Sequence, residues 1–403
     1  MNDILLVADE VVPAVIAGDM RRIPRPEAVP YEPLPAFPHP LQHPLRALWW
    51  IVRTTFGIAS LMLLLAVVAA IPLLNILVLG YLLEVMGRTA RTGKFREAFP
   101  LINLAPRLGS IAIGFWICLF PLRLLSIAAA DARLIDPGSR SDVVLHTLTN
   151  IGAVFITIHI CLSLARGGSL SCFFRPIKNA RWLWKNWKSN DYLPQAAEHV
   201  QAFIAGLRLK HHFLLGLKGL IGAFLWLIIP TAIFASAKKP EGGDIIATLI
   251  GGFGLVLVLC WLPFLMARFA AENRIRAMFE LKAIRELFTR APILWAVAIV
   301  ITCVMSLPMY LFKIALPPQD AMWLETLVFL VTIWPVKVFT GWAYYKATQR
   351  EARRGRLRRW TTKLFVMPIV AFYVFLLFFT QFIGEHGKGV LFEHHAFLLP
   401  IPF

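Results

Sequence analysis

The chain has 403 residues, of which 58% are hydrophobic and 16% charged. A soluble globular protein runs at about 45–50% apolar and about 25% charged, so a water-facing globule, a collagen, a coiled coil, a disulfide scaffold and a disordered tail are excluded in favour of a multi-pass membrane protein. The formal charge of +18 would suggest nucleic acid on a soluble domain, but in a membrane protein the first question is which loops hold the cations.

Residues 1–47 read as a separate proline-rich segment. Asp3, Asp9, Glu10 and Asp19 precede the first arginine, the reverse of the basic start of a signal peptide. Residues 4–17 suit a short apolar helix, and the eight prolines within 24–44 impose an extended, polyproline-like spacer. The apolar block 54–86 is too long for one straight crossing and is interrupted by Pro72 and Asn75. It reads as a hairpin, 54–71 out and a short 73–86 back, with a single crossing as the alternative. Further stretches of the roughly 20 residues needed to cross a bilayer lie at 109–130, 145–165, 217–236, 245–267, 291–312, 322–345 and 364–383. The expected fold is an all-α transmembrane bundle of nine spans, or eight if 54–86 crosses once. Residues 48–383 make the bundle and 384–403 an extracytoplasmic tail.

The charges test this map. Segments 87–108, 166–218, 268–290 and 346–363 carry five, nine, six and eight basic residues, whereas 131–144, 237–244, 313–321 and 384–403 carry two, two, one and one. Rich and poor loops alternate throughout, as the positive-inside bias requires. The rich loops, and with the hairpin the N-terminus, are expected in the cytoplasm of a prokaryotic cell, and the C-terminus outside. The net charge is then a consequence of topology, and no nucleic-acid partner is expected.

An ungapped offset of 180 aligns 77–99 with 257–279, pairing Arg88 with Arg268, Arg96 with Arg276 and Phe99 with Phe279. This suggests duplicated halves, around 54–165 and 217–345, in parallel orientation. Two cytoplasmic stretches are amphipathic. In 177–190, Ala180, Leu183, Trp184 and Trp187 share a face beside Arg181, Lys185 and Lys188, with Trp182 close by. Interleaved indoles and cations are what the headgroup region selects, and packing onto the protein's own surface is the alternative. In 271–290, Ile275, Met278, Phe279, Leu281, Ile284 and Phe288 make a stripe flanked by possible Glu272–Arg276 and Glu286–Arg290 pairs.

Candidates for chemistry are few. Arg123 and Lys337 lie within apolar spans, and Glu84 sits near a span end with Arg88 four residues on. A charge at depth is costly and requires a partner or water, so the two cations either line a path for an anionic solute or lipid, or else Arg123 snorkels outward or pairs with Asp131 and Lys337 snorkels inward. His386, Glu393, His394 and His395 form a weak metal-capable group near the C-terminus. His211 and His212 read as interfacial polar residues, and the tail 396–403 as folded back on the outer surface. Five cysteines without CxxC spacing read as small buried hydrophobes. Gly216, Gly219, Gly222, Gly251, Gly252 and Gly254 mark close helix packing. With no HExxH, GxSxG or phosphate loop, no catalytic residue and no cofactor is assigned.

The run Pro72-Leu-Leu-Asn-Ile-Leu-Val-Leu-Gly-Tyr81, continuing to Gly93, resembles a family of prokaryotic multi-pass proteins known only as the domain of unknown function 4013 type. The resemblance covers 72–115 with a fainter echo at 257–300. It implies a polytopic bundle and supplies no activity. The functional expectation is therefore a non-enzymatic membrane scaffold, complex subunit or organiser of anionic lipid, with a membrane protein or a second copy as possible partner. The alternative is a transporter of a small anionic solute or lipid.

Overall fold

The computed structural model describes residues 34–188, 192–236, 242–311, 321–351, 355–382, 387–394 and 397–398. The chain divides into two units, 1–30 and 31–403; the first, including the expected helix at 4–17, lies outside the described residues. Among those residues the fold is all helix. Thirteen α-helices follow one another: α1 Pro44–Ala69, α2 Asn75–Thr92, α3 Ala105–Ile135, α4 Arg140–Ala165, α5 Leu170–Phe173, α6 Pro176–Lys188, α7 Tyr192–Leu207, α8 Leu209–Ser236, α9 Gly243–Glu272, α10 Leu281–Arg290, α11 Pro292–Leu311, α12 Met322–Thr348 and α13 Arg356–Thr380. Among the described residues, eight helices are long and apolar enough to cross a membrane: α1, α3, α4, α8, α9, α11, α12 and α13. Proline lies inside six of them, at Pro121, Pro230, Pro263, Pro308, Pro335 and Pro368, as neighbouring helices in a membrane bundle permit.

Helix α2 is a ninth long helix and the centre of the bundle. The block 54–86 is a hairpin: α1 stops at Ala69 and α2 starts at Asn75, and Leu61 packs in one cluster with Tyr81 and Val85. The returning arm is longer than the sequence suggests. It runs on through Arg88 and Arg91 to Thr92, because Glu84 accepts a hydrogen bond from Arg88 Nε at 3.0 Å and a neutralised arginine need not end a buried helix. Similarly α9 continues past Arg268, whose Nε lies 3.3 Å from Glu272. Helix α2 is buried along most of its length, chiefly against α8, α12 and α9.

Glycine sets the α2–α8 distance. A Cβ built at Gly80 would overlap the His212 carbonyl and stand 3.0 Å from Gly216 N, and one built at Gly216 would stand 2.9 Å from Gly80 N. Gly251 meets the Phe234 backbone in the same way, whereas Gly219 and Gly222 stand against side chains, those of Leu83 and Met278. Gly80, Gly216 and Gly251 let helix backbones touch where the apolar effect between helices is absent.

The two passages aligned at offset 180 share backbone as well as side chains. Helix α2 ends on Gly93 (φ 66°) and α9 on Asn273 (φ 52°), both left-handed. Lys94 and Arg274 are extended, and short 3-10 turns follow at Phe95–Ala98 and Ile275–Phe279. Phe99 then packs on Trp334, with ring centroids 4.8 Å apart, and Phe279 on Trp226 at 6.1 Å.

Contacts gather the basic segments at one end of the bundle. His211 at the start of α8 meets Glu84 late in α2. Arg91 Nη1 donates to Ala270 and Ala271 at the end of α9, Phe95 stacks on Trp342, and Arg107 lies over Phe203. The opposite end joins Ala66, whose carbonyl accepts from the Thr326 hydroxyl, with Thr231 and Ala235 of α8, which bind the C-terminal segment.

Candidate functional site

Three regions hold the candidate residues. The first is the charge network around Glu84. This carboxylate is buried, with Arg88 at 3.0 Å, His211 Nε2 at 3.1 Å and Arg91 Nη2 at 3.4 Å, and Arg88 also reaches Glu97 at 3.8 Å. Arg91 satisfies the last-turn carbonyls of α9 that an α-helix leaves open. The histidines are therefore not simple interfacial residues. His211 is a partner of Glu84, and His212 is buried, its Nδ1 held at 3.2 Å by the Leu207 carbonyl. An equivalent network joins Arg268 and Glu272 at the end of α9 with Arg274 and Glu280 just after it. Glu272 takes Arg268 and Arg274 there, not Arg276, and no Glu286–Arg290 pair forms among the described residues. The stripe on 271–290 docks inward in part: Met278, Ile284 and Phe288 are buried, whereas Ile275 and Phe279 are exposed.

The second region is α6 on α4. Asn179 is fully buried and knots three helices together. Its Nδ2 donates to Ser163 Oγ at 3.0 Å and to the Cys172 carbonyl at 2.9 Å, and its Oδ1 accepts from Arg166 Nη1 at 2.5 Å. Ser163 donates to the His159 carbonyl, and His159 Nε2 bonds the Phe173 carbonyl at 2.9 Å. Thus held, α6 turns Ala180 and Leu183 toward α4. Between the two helices lies an apolar cavity of about 580 Å³ walled by Phe155, Ile158, Leu162, Leu183 and Trp184. Trp184 stands 72% exposed at its edge, with Arg181 and Lys185 exposed and Trp182 half-buried beside it. The side chains of Trp187 and Lys188 lie outside the described residues. The stripe read as lipid-facing is thus mostly the wall of a cavity between two helices, because Asn179 fixes the rotation of α6.

The third region is the intramembrane cations, which the fold keeps apart. Arg123 is exposed on the outward face of α3, and no ion pair joins it to Asp131 among the described residues. Lys337 is buried in α12, its Nζ 5.9 Å from the centroid of Phe397. That contact corrects the reading of the tail. Val390 and Leu391 are fully buried, and Phe397 and Leu398 nearly so. Lys388 Nζ donates to the Ala235 carbonyl at 2.9 Å, and His394 Nε2 shares a 2.8 Å hydrogen bond with the Thr231 hydroxyl. The segment enters the bundle because its apolar residues find a slot beside α8 and α13. Glu393 and His394 are buried there; His386 and His395 lie outside the described residues, and no group of three metal-capable side chains occurs among those described. Cys161 departs from the cysteine expectation, being exposed on α4.

Asn179, and the pairing of His211 with Glu84, escaped sequence reading because their partners are brought in by the fold from 7 to 127 positions away. The only sequence signal was polarity at otherwise apolar helix entries.

Residues 195–317 match the family model described as "Protein of unknown function (DUF4013)". The match spans most of α7 through α11 and so contains the 257–279 copy, whereas the resemblance read in the sequence lies mainly at 72–115. No curated protein and no solved structure matches the chain. The chain is a multi-pass membrane protein by its apolar helices, and the family brings no activity with it.

Proposed function

We propose that this protein is a non-enzymatic component of a prokaryotic cytoplasmic membrane that organises anionic lipid on its basic end, as a scaffold or complex subunit. The observation that carries the reading is the α4–α6 site: an apolar cavity edged by exposed Trp184, with Arg181 and Lys185 alongside. An indole at the interface, a cation able to snorkel and a groove for hydrocarbon are complementary to an acidic phospholipid. The loop charges orient the basic end, and with it the segment before α1, to the cytoplasm, and the C-terminal segment to the opposite side.

The test is retention of phosphatidylglycerol by the purified full chain in mild detergent. Trp184→Ala with Lys185→Ala lowers it, and phosphatidylcholine retention stays unchanged. Equal retention of both lipids by the parent and this variant refutes the reading. Transport of a small anionic solute along a path lined by Arg123 and Lys337 draws no support from the geometry, since one faces outward and the other is buried elsewhere.

A further inference from the structure

A second cavity, of about 410 Å³, opens at the basic end among α9, α10, α11 and α13. Its rim holds Arg285 of α10 with Arg359 and Lys363 of α13, and its floor holds Trp261, Phe288 and Trp295. No acidic side chain lines it, and none of the three cations enters an ion pair among the described residues. Arg88 and Arg268, which are buried at this end, have carboxylates by contrast; at this rim Arg285 and Lys363 are exposed and Arg359 is half-buried. Two of the rim cations lean on aromatic surface: Arg285 Cζ lies 6.0 Å from the Trp261 centroid, and Lys363 Nζ lies 5.7 Å from Phe288 and 6.0 Å from Trp360. Arg359 Nε is buried with no hydrogen-bond acceptor from the protein. Three cations converging on one cavity that no acidic side chain lines, with one buried Nε donor lacking a protein acceptor, are complementary to a phosphate-like anion.

What lies below the rim identifies the rest of the ligand. Met367 stands in the wall of this cavity and of a further one of about 640 Å³, lined by Phe253, Val256, Ala371 and Phe379 with hardly a polar group. From Lys363 to Phe379 the α9–α13 seam runs about 24 Å at 1.5 Å per residue. A polar end of one sign followed by a long apolar groove is the shape of a phospholipid, with its phosphate at the interface and an acyl chain along the seam.

We infer that the Arg285/Arg359/Lys363 cavity is a specific binding site for the phosphate group of an anionic phospholipid, whose acyl chain lies along the α9–α13 seam. This rests on the reading that the basic end engages anionic lipid, and adds a site remote in sequence from α6.

The full chain, purified in mild detergent, is titrated with phosphatidylglycerol or with inorganic phosphate, and retained lipid is counted by native mass spectrometry. The expected result is that Arg359→Gln with Lys363→Gln lowers phosphatidylglycerol affinity about tenfold at this site, as loss of two charge-assisted contacts implies. Arg285→Gln, on a more exposed helix face, lowers it less and serves as the check should the double variant lose its thermal transition. Millimolar phosphate leaves the bound lipid in place. Undiminished retention by both variants overturns the site. Binding of phosphate alone, with competitive loss of lipid, overturns the lipid assignment in favour of a free-phosphate site. If lipid is lost only from the Trp184→Ala, Lys185→Ala variant, this site fails while the anionic-lipid reading stands. If the parent retains no phosphatidylglycerol, both fail.

Discussion

The contact between α2 and α8 makes a quantitative claim about Gly80→Ala. The added Cβ would lie 2.6 Å from the His212 carbonyl carbon and 3.0 Å from Gly216 N. Carbon atoms pack best at about 3.5–4.0 Å, so the helices must part by about 1 Å. Both obstacles are backbone, and no side-chain rotation can relieve them. Overpacking of this kind costs about 1–3 kcal/mol and occasionally more; with α2 buried on nearly every side, the upper part of that range is expected. Gly216→Ala meets Gly80 N at 2.9 Å and the Ile76 carbonyl carbon at 3.1 Å, a comparable but smaller intrusion. Because one separation of the helices accommodates both methyls, the double variant is less destabilised than the two single losses added, by about 0.5 kcal/mol or more. Gly243→Ala, with nothing within 4 Å, is the control and stays within about 0.5 kcal/mol of the parent. Reversible unfolding or melting in detergent measures all four. If Gly80→Ala behaves like Gly243→Ala, backbone contact does not set the α2–α8 distance and the account of the bundle centre is wrong.

Other expectations follow from single groups. Glu84→Gln leaves Arg88, Arg91 and His211 around a neutral amide and destabilises by about 3–5 kcal/mol, the usual consequence of removing one partner from a buried ion pair; an unchanged denaturation midpoint would show that the cations find other anions. Asn273→Ala strains a left-handed residue by about 1–2 kcal/mol, whereas Asn273→Gly is neutral or stabilising, and the melting order Gly, Asn, Ala checks this. Asn179→Leu leaves Arg166, Ser163 and the Cys172 carbonyl short of a partner at a cost of about 1–3 kcal/mol. Its local signature is faster amide exchange across 176–188 with little change in α9; identical exchange there would dismiss the latch.

Much of the bundle was legible because bilayer thickness and loop charge leave strong, local marks. The spans at 109–130, 145–165 and 291–312 correspond to α3, α4 and α11, and the break at Pro72–Asn75 to the α1–α2 turn. What failed was any boundary that a charge seemed to fix. Arg88 and Arg268 look like membrane exits in the sequence, yet both continue a helix, since their carboxylates lie one turn away and complete the neutralisation inside. The candidate site was less legible. Trp184 and Lys185 were visible as a pattern, but the pattern cannot show that α4 supplies the other wall of a cavity. The rim of Arg285, Arg359 and Lys363 was invisible because α10 and α13 meet only in the folded chain. Phe397 beside Lys337 was hidden for the same reason: a tail too short to span gave no hint that Phe397 and Leu398 would be buried.

The knot at Asn179 bears on how the basic end would meet a membrane. Amphipathic segments that are unstructured in water must form their helix on contact, and the ordering entropy is subtracted from their attraction to the bilayer. Here three hydrogen bonds from one amide already hold α6 in register with α4. The surface is preorganised, so adsorption forfeits little chain freedom, and what remains is charge attraction that falls with ionic strength. On the proposed reading, such a face would respond to the composition of the leaflet beneath it, not to helix nucleation, and adding salt would release lipid from it while the circular dichroism of the helices stays constant.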